Sequence, residues 1–312
     1  MCGEDQLKLR LKIIINPSSG RETARVNIED MLAYLVSFSA LERADIFYTG
    51  KRFDAVNFAA KTDPSEYDYI IAVGGDGTVN EVITGLMTAD IKIPLAIYTS
   101  GTVNDFATIN ELPSSPSDFA RMLMDPKLIK VDCGKVNGKY FLNVLAGGLM
   151  TEVAYKVPSD LKTAFGPAAY WLSAMKDLPI KSSDAVRLKI VAGGKEYEEE
   201  AIMFLISNSK SVGGFRKLMT MADLSDGLLD VLVVKKLEPA EIVPLLGKLM
   251  IGDHINSNNV LYLQTSHLEL SSDGDTPVVL DIDGEEGPHL PANVECIHEA
   301  ITLIVPGKEE SL

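Results

Sequence analysis

Three short polar strings in the first third of the chain have the residue types to handle phosphate. The most informative is Gly74-Gly75-Asp76-Gly77-Thr78-Val79-Asn80-Glu81, directly after the apolar run Tyr67–Val73. Glycines at such a point let the backbone turn sharply and approach a phosphate, and the start of a following helix offers N–H groups to an anion. The string is not a dinucleotide fingerprint, because the last glycine position of GxGxxG counted from Gly75 is Asn80, and it is not a Walker A loop, because no GK[ST] follows. A carboxylate inside a phosphate cradle repels its ligand unless a cation bridges them, so Asp76 points to Mg²⁺ accompanying a nucleotide. Taken alone, the string also reads as a turn with a helix cap. The same chemistry returns in Ser100-Gly101-Thr102-Val103-Asn104-Asp105-Phe106, and a third hydroxyl-bearing turn, Asn16-Pro17-Ser18-Ser19-Gly20, closes the run LKIIIN.

The elements that must position these strings alternate. Leu11–Asn16, Ala44–Tyr48, Tyr67–Val73 and Ile93–Ile97 read as strands; Arg21–Ser39, about Phe53–Lys61 and Val79–Met87 read as helices. Strand–helix alternation implies a mostly parallel sheet with helices on both faces, whose ligands sit at the carboxyl ends of the strands. All three polar strings fall at such ends, and capping alone does not explain three of them on one edge.

After about Asp132 the pattern changes to short strands at Phe141–Leu145, Val186–Val191, Glu199–Ile206, Leu228–Val234, Val260–Gln264, Leu268–Ser271 and Val278–Ile282. Strict alternation in Val186-Arg187-Leu188-Lys189-Ile190 marks a strand with one wet face, and Gly193-Gly194 marks a hairpin turn. Helices are expected at Pro167–Asp177 and Pro239–Ile251. The reading is an α/β domain followed by a mainly β domain.

Composition narrows the function. The 312 residues carry a formal net charge of −15 and a sequence pI near 4.7, which argues against a nucleic-acid partner. Three cysteines, Cys2, Cys133 and Cys296, show no metal-binding spacing and form no disulfide framework, as in a reducing compartment. The pair Cys296 and His298 reads as strand packing. The charged start, with Glu4, Asp5, Lys8 and Arg10, is unlike a signal peptide, and no stretch approaches the roughly 20 apolar residues of a membrane span, so a cytoplasmic protein is expected. Lys210, Arg216 and Lys217 around Gly213-Gly214 read as a solvated loop, with a local basic patch as the alternative.

NPSSG, GGDGTVNE and GTVNDF, in this order and spacing, resemble the catalytic domain of the diacylglycerol kinase family, the bacterial soluble lipid kinases above all. The resemblance continues through Asp132-Cys133-Gly134, Asn143, Gly147-Gly148 and Ala222–Leu228, and ends with Asp283-Gly284-Glu285 and Leu290-Pro291-Ala292-Asn293. It covers the chain from about Leu9 to Pro306.

The resemblance implies a two-domain kinase: an α/β domain similar to that of NAD kinases, which supplies the GGDGT loop, and a C-terminal β-sandwich. The domains would be residues 1–132, with a returning segment at about 299–312, and 133–298. ATP would lie between the domains, cradled by Asn16, Pro17, Ser18, Ser19 and Gly20, by Thr49, by Gly75, Asp76, Gly77, Thr78, Val79, Asn80 and Glu81, and by Thr102. Asp283 would take the proton of the lipid hydroxyl, acting with Asp76. An Asp of ordinary pKa, about 3.9, is a weak base, yet adequate for a phosphoryl transfer that depends on positioning and charge. Asp105, Asp132 and Glu285 would form a supporting network. Mg²⁺ would sit on the Asp226 carboxylate with backbone carbonyls of Asp223 and Leu228. Without the resemblance, Asp283-Gly284 and Asp226-Gly227 read as plain turns.

Thr99 and Ser100 stand where the family usually has Pro and another residue before Gly-Thr, and Thr108 where Arg is common, so no basic contact is expected there. His289 receives no role. The leading expectation is an ATP- and Mg²⁺-dependent kinase converting diacylglycerol to phosphatidic acid, peripheral at the membrane that holds its substrate, with a homodimer among the assemblies allowed. Kinases of sphingoid bases, ceramide, prenols or NAD are the alternatives, together with a non-catalytic nucleotide-binding regulator.

Overall fold

The computed structural model describes residues 8–18, 23–99, 110–148, 185–212, 215, 217–274 and 277–307. The expected helix at Pro167–Asp177 lies outside them, as do Ser19, Gly20, Ser100, Thr102, Asp105, Thr108 and Arg216. The chain divides into two compact units, Met1–Val131 with Glu299–Leu312, and Asp132–His298.

The first unit alternates as its sequence pattern requires: β1 (Leu9–Ile15), α1 (Thr23–Ser37), β2 (Leu41–Tyr48), α2 (Asp54–Ala59), β3 (Tyr69–Gly74), α3 (Asp76–Thr88), β4 (Leu95–Thr99) and α4 (Pro116–Met124). The strands are parallel in the order β4-β3-β1-β2. Strands covered on both faces must be apolar on both, and Ile13 and Ile14, adjacent in β1, are each fully buried. Ile13, Ile15 and Val73 meet Met31 and Leu35 of α1 and Phe119 and Leu123 of α4 in one core. Helix α4 was not foreseen; Ser115 caps it by accepting from the Asp118 amide at 3.2 Å, and Pro116 occupies its first turn.

The chain then runs through β5 (Pro126–Val136), β6 (Lys139–Phe141), β7 (Val144–Gly148), β8 (Val186–Ala192), β9 (Lys195–Ser207), β10 (Leu229–Lys235), α5 (Pro239–Ile251), β11 (Val260–Thr265), β12 (His267–Ser272), β13 (Val279–Ile282), β14 (Glu285–His289) and β15 (Ala292–Pro306). In the second unit the order β14-β13-β7-β9-β8-β12-β15 is joined by β10 and β11, which pair beside β9. The strand pairs β7–β9, β7–β13, β8–β9, β8–β12, β9–β10, β10–β11, β13–β14 and β12–β15 are antiparallel. Gly193 and Gly194, at φ 57° and 75°, make the β8–β9 turn. Strand β10 is buried on both faces: Leu229, Val231 and Val233 enter one core, and Leu232 and Val234 enter another that Leu245, Leu246 and Leu249 of α5 cover.

The strand expected over Phe141–Leu145 is corrected to two. β6 pairs with β5, and β7 pairs with β9 and β13. The amides of Leu142, Asn143 and Val144 between and at the start of these strands turn to a side chain instead, as shown below. β15 was expected only in its second part. Its first part pairs with β12 (Leu268↔Val294) and its last part runs parallel to β4 (Leu303↔Leu95).

Candidate active site

In the first unit the strand ends are in register: Ile15 lies opposite Tyr48 and Val73, and Gly74 opposite Thr99. The segments leaving them therefore start at one edge. The Asn16 amide donates to the Val73 carbonyl and the Thr49 amide to the Ile15 carbonyl, each at 2.9 Å, so the ladder extends into the loops. Asn16 Nδ2 donates to Thr78 Oγ1 at 3.1 Å and its Oδ1 accepts from the Ser18 amide at 3.0 Å. Asn16 thus ties the first polar string to the GGDGT string. Pro17 and Ser18 are exposed beside it.

The GGDGT string opens α3. Gly75 is its N-cap in extended conformation, with its carbonyl accepting from the amides of Thr78 and Val79 at 3.0 and 3.2 Å. Asp76 and Gly77 fill the first turn, where the helix dipole favours an anion. Gly74 is required by packing, because a Cβ there would lie 2.4 Å from Thr78 Oγ1. Gly75 differs: a Cβ there would meet no atom of the described residues within 4 Å, leaving room at the backbone for a phosphate. Thr78 and Val79 are buried, and Asn80 Oδ1 accepts from Thr84 Oγ1 at 3.4 Å.

Glu81 is committed elsewhere. Its Oε1 accepts from the Phe53 amide at 2.9 Å and its Oε2 from the Ala55 amide at 3.2 Å, where α2 begins. Phe53 stands at φ 68°, a left-handed conformation that this clamp holds. Asp54 accepts from the amides of Gly50 and Lys51 at 2.8 and 3.0 Å, and these bonds hold its carboxyl below the usual range. Glu81 and Asp54 together brace the loop that follows Thr49.

In the second unit Asp283 and Gly284 form the two-residue turn between β13 and β14, at φ 51° and 90°. The Asp283 side chain also binds a neighbouring segment. Asp283 Oδ2 accepts from the Leu142 amide at 2.9 Å, and Oδ1 accepts from Asn143 and Val144 at 3.0 and 2.8 Å. The Asp283 amide donates to the Val144 carbonyl at 2.9 Å and Asp281 Oδ1 accepts from Gly284 at 2.8 Å. Three backbone donors fix the carboxylate plane. Glu285, next along, is exposed.

A polar chain leads away from this point. The Asn143 carbonyl accepts from Ser207 Oγ at 2.7 Å and from the Asn208 amide at 3.2 Å; Asn208 Nδ2 donates to the Asp132 carbonyl at 2.8 Å. Asp132 is fully buried, and its Oδ2 accepts from the Gly227 amide at 2.7 Å while Oδ1 meets His298 Nδ1 at 3.0 Å. Asp132 therefore fastens the Asp223–Leu228 loop to the segment that holds Asp283. Within that loop Asp226 Oδ1 accepts from the Leu228 amide at 2.9 Å and Asp223 Oδ1 from Ser225 at 3.0 Å. Sequence reasoning missed Asn208 and Ser207, whose partners are distant in the chain. Cys296, half-buried, has its thiol pushed up to about 12 by burial and then by Asp132 and Asp226, and burial likewise raises that of Cys133.

These features can be compared with known proteins. The family described as "Diacylglycerol kinase catalytic domain" matches residues 10–136, and the "YegS C-terminal NAD kinase beta sandwich-like domain" matches 144–305. A diacylglycerol kinase of Staphylococcus epidermidis is 35% identical over 300 residues, covering 96% of this chain and 93% of its own. This chain belongs to the diacylglycerol kinase family. A diacylglycerol kinase of Bacillus subtilis is 34% identical over 298 residues, covering 95% of this chain and 96% of its own. The crystal structure of a diacylglycerol kinase from Bacillus anthracis superposes with a TM-score of 0.77 at 27% identity, over 96% of this chain and 97% of that one. As a diacylglycerol kinase family enzyme, the chain is a lipid kinase with an α/β domain and a β-sandwich-like domain. Among the described residues no helix is long and apolar enough to cross a membrane.

Proposed function

We propose that the kinase transfers the γ-phosphoryl group of ATP to the free hydroxyl of diacylglycerol, forming phosphatidic acid, at the cytoplasmic face of a membrane that it touches peripherally. The observation that carries the reading is Asp283: a carboxylate on a left-handed turn, oriented by three backbone amides, in a chain whose α3 opens with a phosphate cradle. In this reading the open backbone at Gly75 and the first turn of α3 receive phosphates, Asn16 and Thr78 keep the cradle in shape, and Thr49 borders the nucleotide. Asp283 takes the hydroxyl proton as the oxygen bonds to phosphorus, and the Asp132–Asn208–Asn143 chain holds it in place.

The donors at Asp223–Leu228 fit Mg²⁺: one carboxylate, Asp226, and the carbonyls of Asp223 and Leu228, all oxygen. Among the described residues no group of three or more His, Cys, Asp or Glu is placed to hold a metal, so the Mg²⁺ reading rests on the oxygen donors of this loop. When bound, Mg²⁺ supplies positive charge that tightens this loop, and a second role on Asp76 would shield the phosphates. A small, partly open cavity of about 40 Å³ lies under α5; its lining is apolar and includes Ile202, Met203, Phe215, Leu218, Leu245 and Leu249.

The test is labelled-phosphate transfer from ATP to diacylglycerol, ceramide, a sphingoid base, a prenol and NAD, offered side by side. Diacylglycerol should be the preferred acceptor, and Asp283→Asn should lower kcat by about 10²–10⁴-fold. Preference for another acceptor would overturn the substrate, and undiminished turnover by Asp283→Asn would overturn the base.

A further inference from the structure

We infer that the outward face of α5, with Lys217 and Lys248 at its C-terminal end, is the surface on which this kinase docks to an anionic lipid bilayer; the inference rests on the peripheral-membrane reading above. Helix α5 is apolar on two sides. Leu245, Leu246 and Leu249 are buried against β9 and β10. Val243, Met250 and Ile251 are 65%, 54% and 66% exposed. Val243 and Met250 stand two turns apart on one stripe, with Ile251 beside it. A helix that is hydrophobic all round wants apolar surroundings on every side, and the protein supplies them on one only.

The end of the helix adds cations and more apolar surface. Gly252, at φ 83°, turns the chain, and a Cβ built there would lie 3.2 Å from both Lys217 Cβ and Thr220 Cγ2. The Lys217–Thr220 segment therefore runs beside the helix end, and Met221, next in sequence, is 55% exposed. Lys217 and Lys248 are exposed, as is Lys210, whose carbonyl accepts from the Met219 amide. The acidic residues of the helix divide unequally: Glu238 and Glu241 are engaged with each other's backbone at the N-terminal cap, and Asp253 follows the C-terminus. The helix thus meets an anionic surface with its C-terminal end.

Charge selects the occupant. The whole chain carries −15, yet Asn208–Ala222 contains Lys210 and Lys217 and no acidic residue. An anionic leaflet attracts such lysines within a Debye length while the rest of the molecule is repelled, which orients the protein on contact. The docking face is also the outer side of the element whose inner side, Ile242, Leu245, Leu246 and Leu249, lines the apolar pocket.

The experiment is co-sedimentation of the full chain with vesicles of phosphatidylcholine alone or mixed with phosphatidylglycerol. Wild type should bind the mixed vesicles and lose binding in high salt. The triple variant Val243→Ser, Met250→Ser, Ile251→Ser should bind on the order of tenfold more weakly or worse, and each of Lys217→Gln and Lys248→Gln about fivefold more weakly. Turnover of a short-chain diacylglycerol dispersed without a bilayer should be unchanged in the triple variant, which shows that it is folded. Failure of wild type to bind either vesicle would remove the membrane reading itself. Wild-type binding equalled by the triple variant would overturn this surface. A triple variant that keeps vesicle binding but loses self-association in light scattering would assign the face to a subunit contact and also overturn it.

Discussion

Glu81 has both carboxylate oxygens engaged by the amides of Phe53 and Ala55, so its removal is expected to act first on the loop it braces. Glu81→Ala should leave two donors at the start of α2 without their acceptor, cost about 1–3 kcal/mol of stability and raise KM for ATP more than it lowers kcat. Glu81→Gln, which keeps one acceptor oxygen, should recover part of both losses. Thermal unfolding and initial-rate kinetics on the two variants check this, and a kcat loss with unchanged stability would instead assign Glu81 to the bound phosphates. The GGDGT string was legible because its chemistry is local: glycine, carboxylate and hydroxyl within one turn of a helix start. The role of Glu81 was not, because its partners lie 26 and 28 residues upstream. The same holds for Asp283, whose turn was visible as Asp-Gly but whose three amide donors are about 140 residues away.

Among the elements, α5 depends on a buried imidazole at its end. His254 is fully buried, with Nε2 2.8 Å from the Leu218 carbonyl, and burial holds its pKa below the usual 6.5 despite that carbonyl. Below pH 6.5 the unfolded chain therefore binds a proton that the folded one resists. The stabilisation is complete above that pH and is lost as pH falls beneath it, by at most about 1.4 kcal/mol per pH unit. Hydrogen exchange in α5 should accelerate between pH 7 and pH 5, and His254→Gln should flatten that dependence. The bounds of α5 followed from its apolar content and from Pro239. Helix α4 escaped because nine residues give little periodicity, although Ser115 and Pro116 were the available signal. The apolar content of Phe141–Leu145 promised one strand, and the claim of Asp283 on the amides at the break could not be seen in the segment itself.

For the molecule as a whole, β15 is shared. Val294, near its start, belongs to the core of the second unit, and Ile304, near its end, to the core of the first. Val294→Ala and Ile304→Ala should each destabilise their own unit, Ile304→Ala by about 2–5 kcal/mol, and unit-resolved hydrogen exchange should separate the two effects. The order of units followed from the change of pattern near Asp132, whereas the first part of β15 mixes Glu, Cys and His with its apolar positions and gave no run to read. The shared strand also sets a timetable for synthesis. Residues up to Val131 leave the ribosome long before Glu299, which opens the segment completing their unit. At about 5–20 residues per second the early residues wait roughly 8–34 s for their last strand. During that interval the edge of β4 that pairs with β15 lacks its partner strand, so the first unit closes only after the last residues of the chain are made.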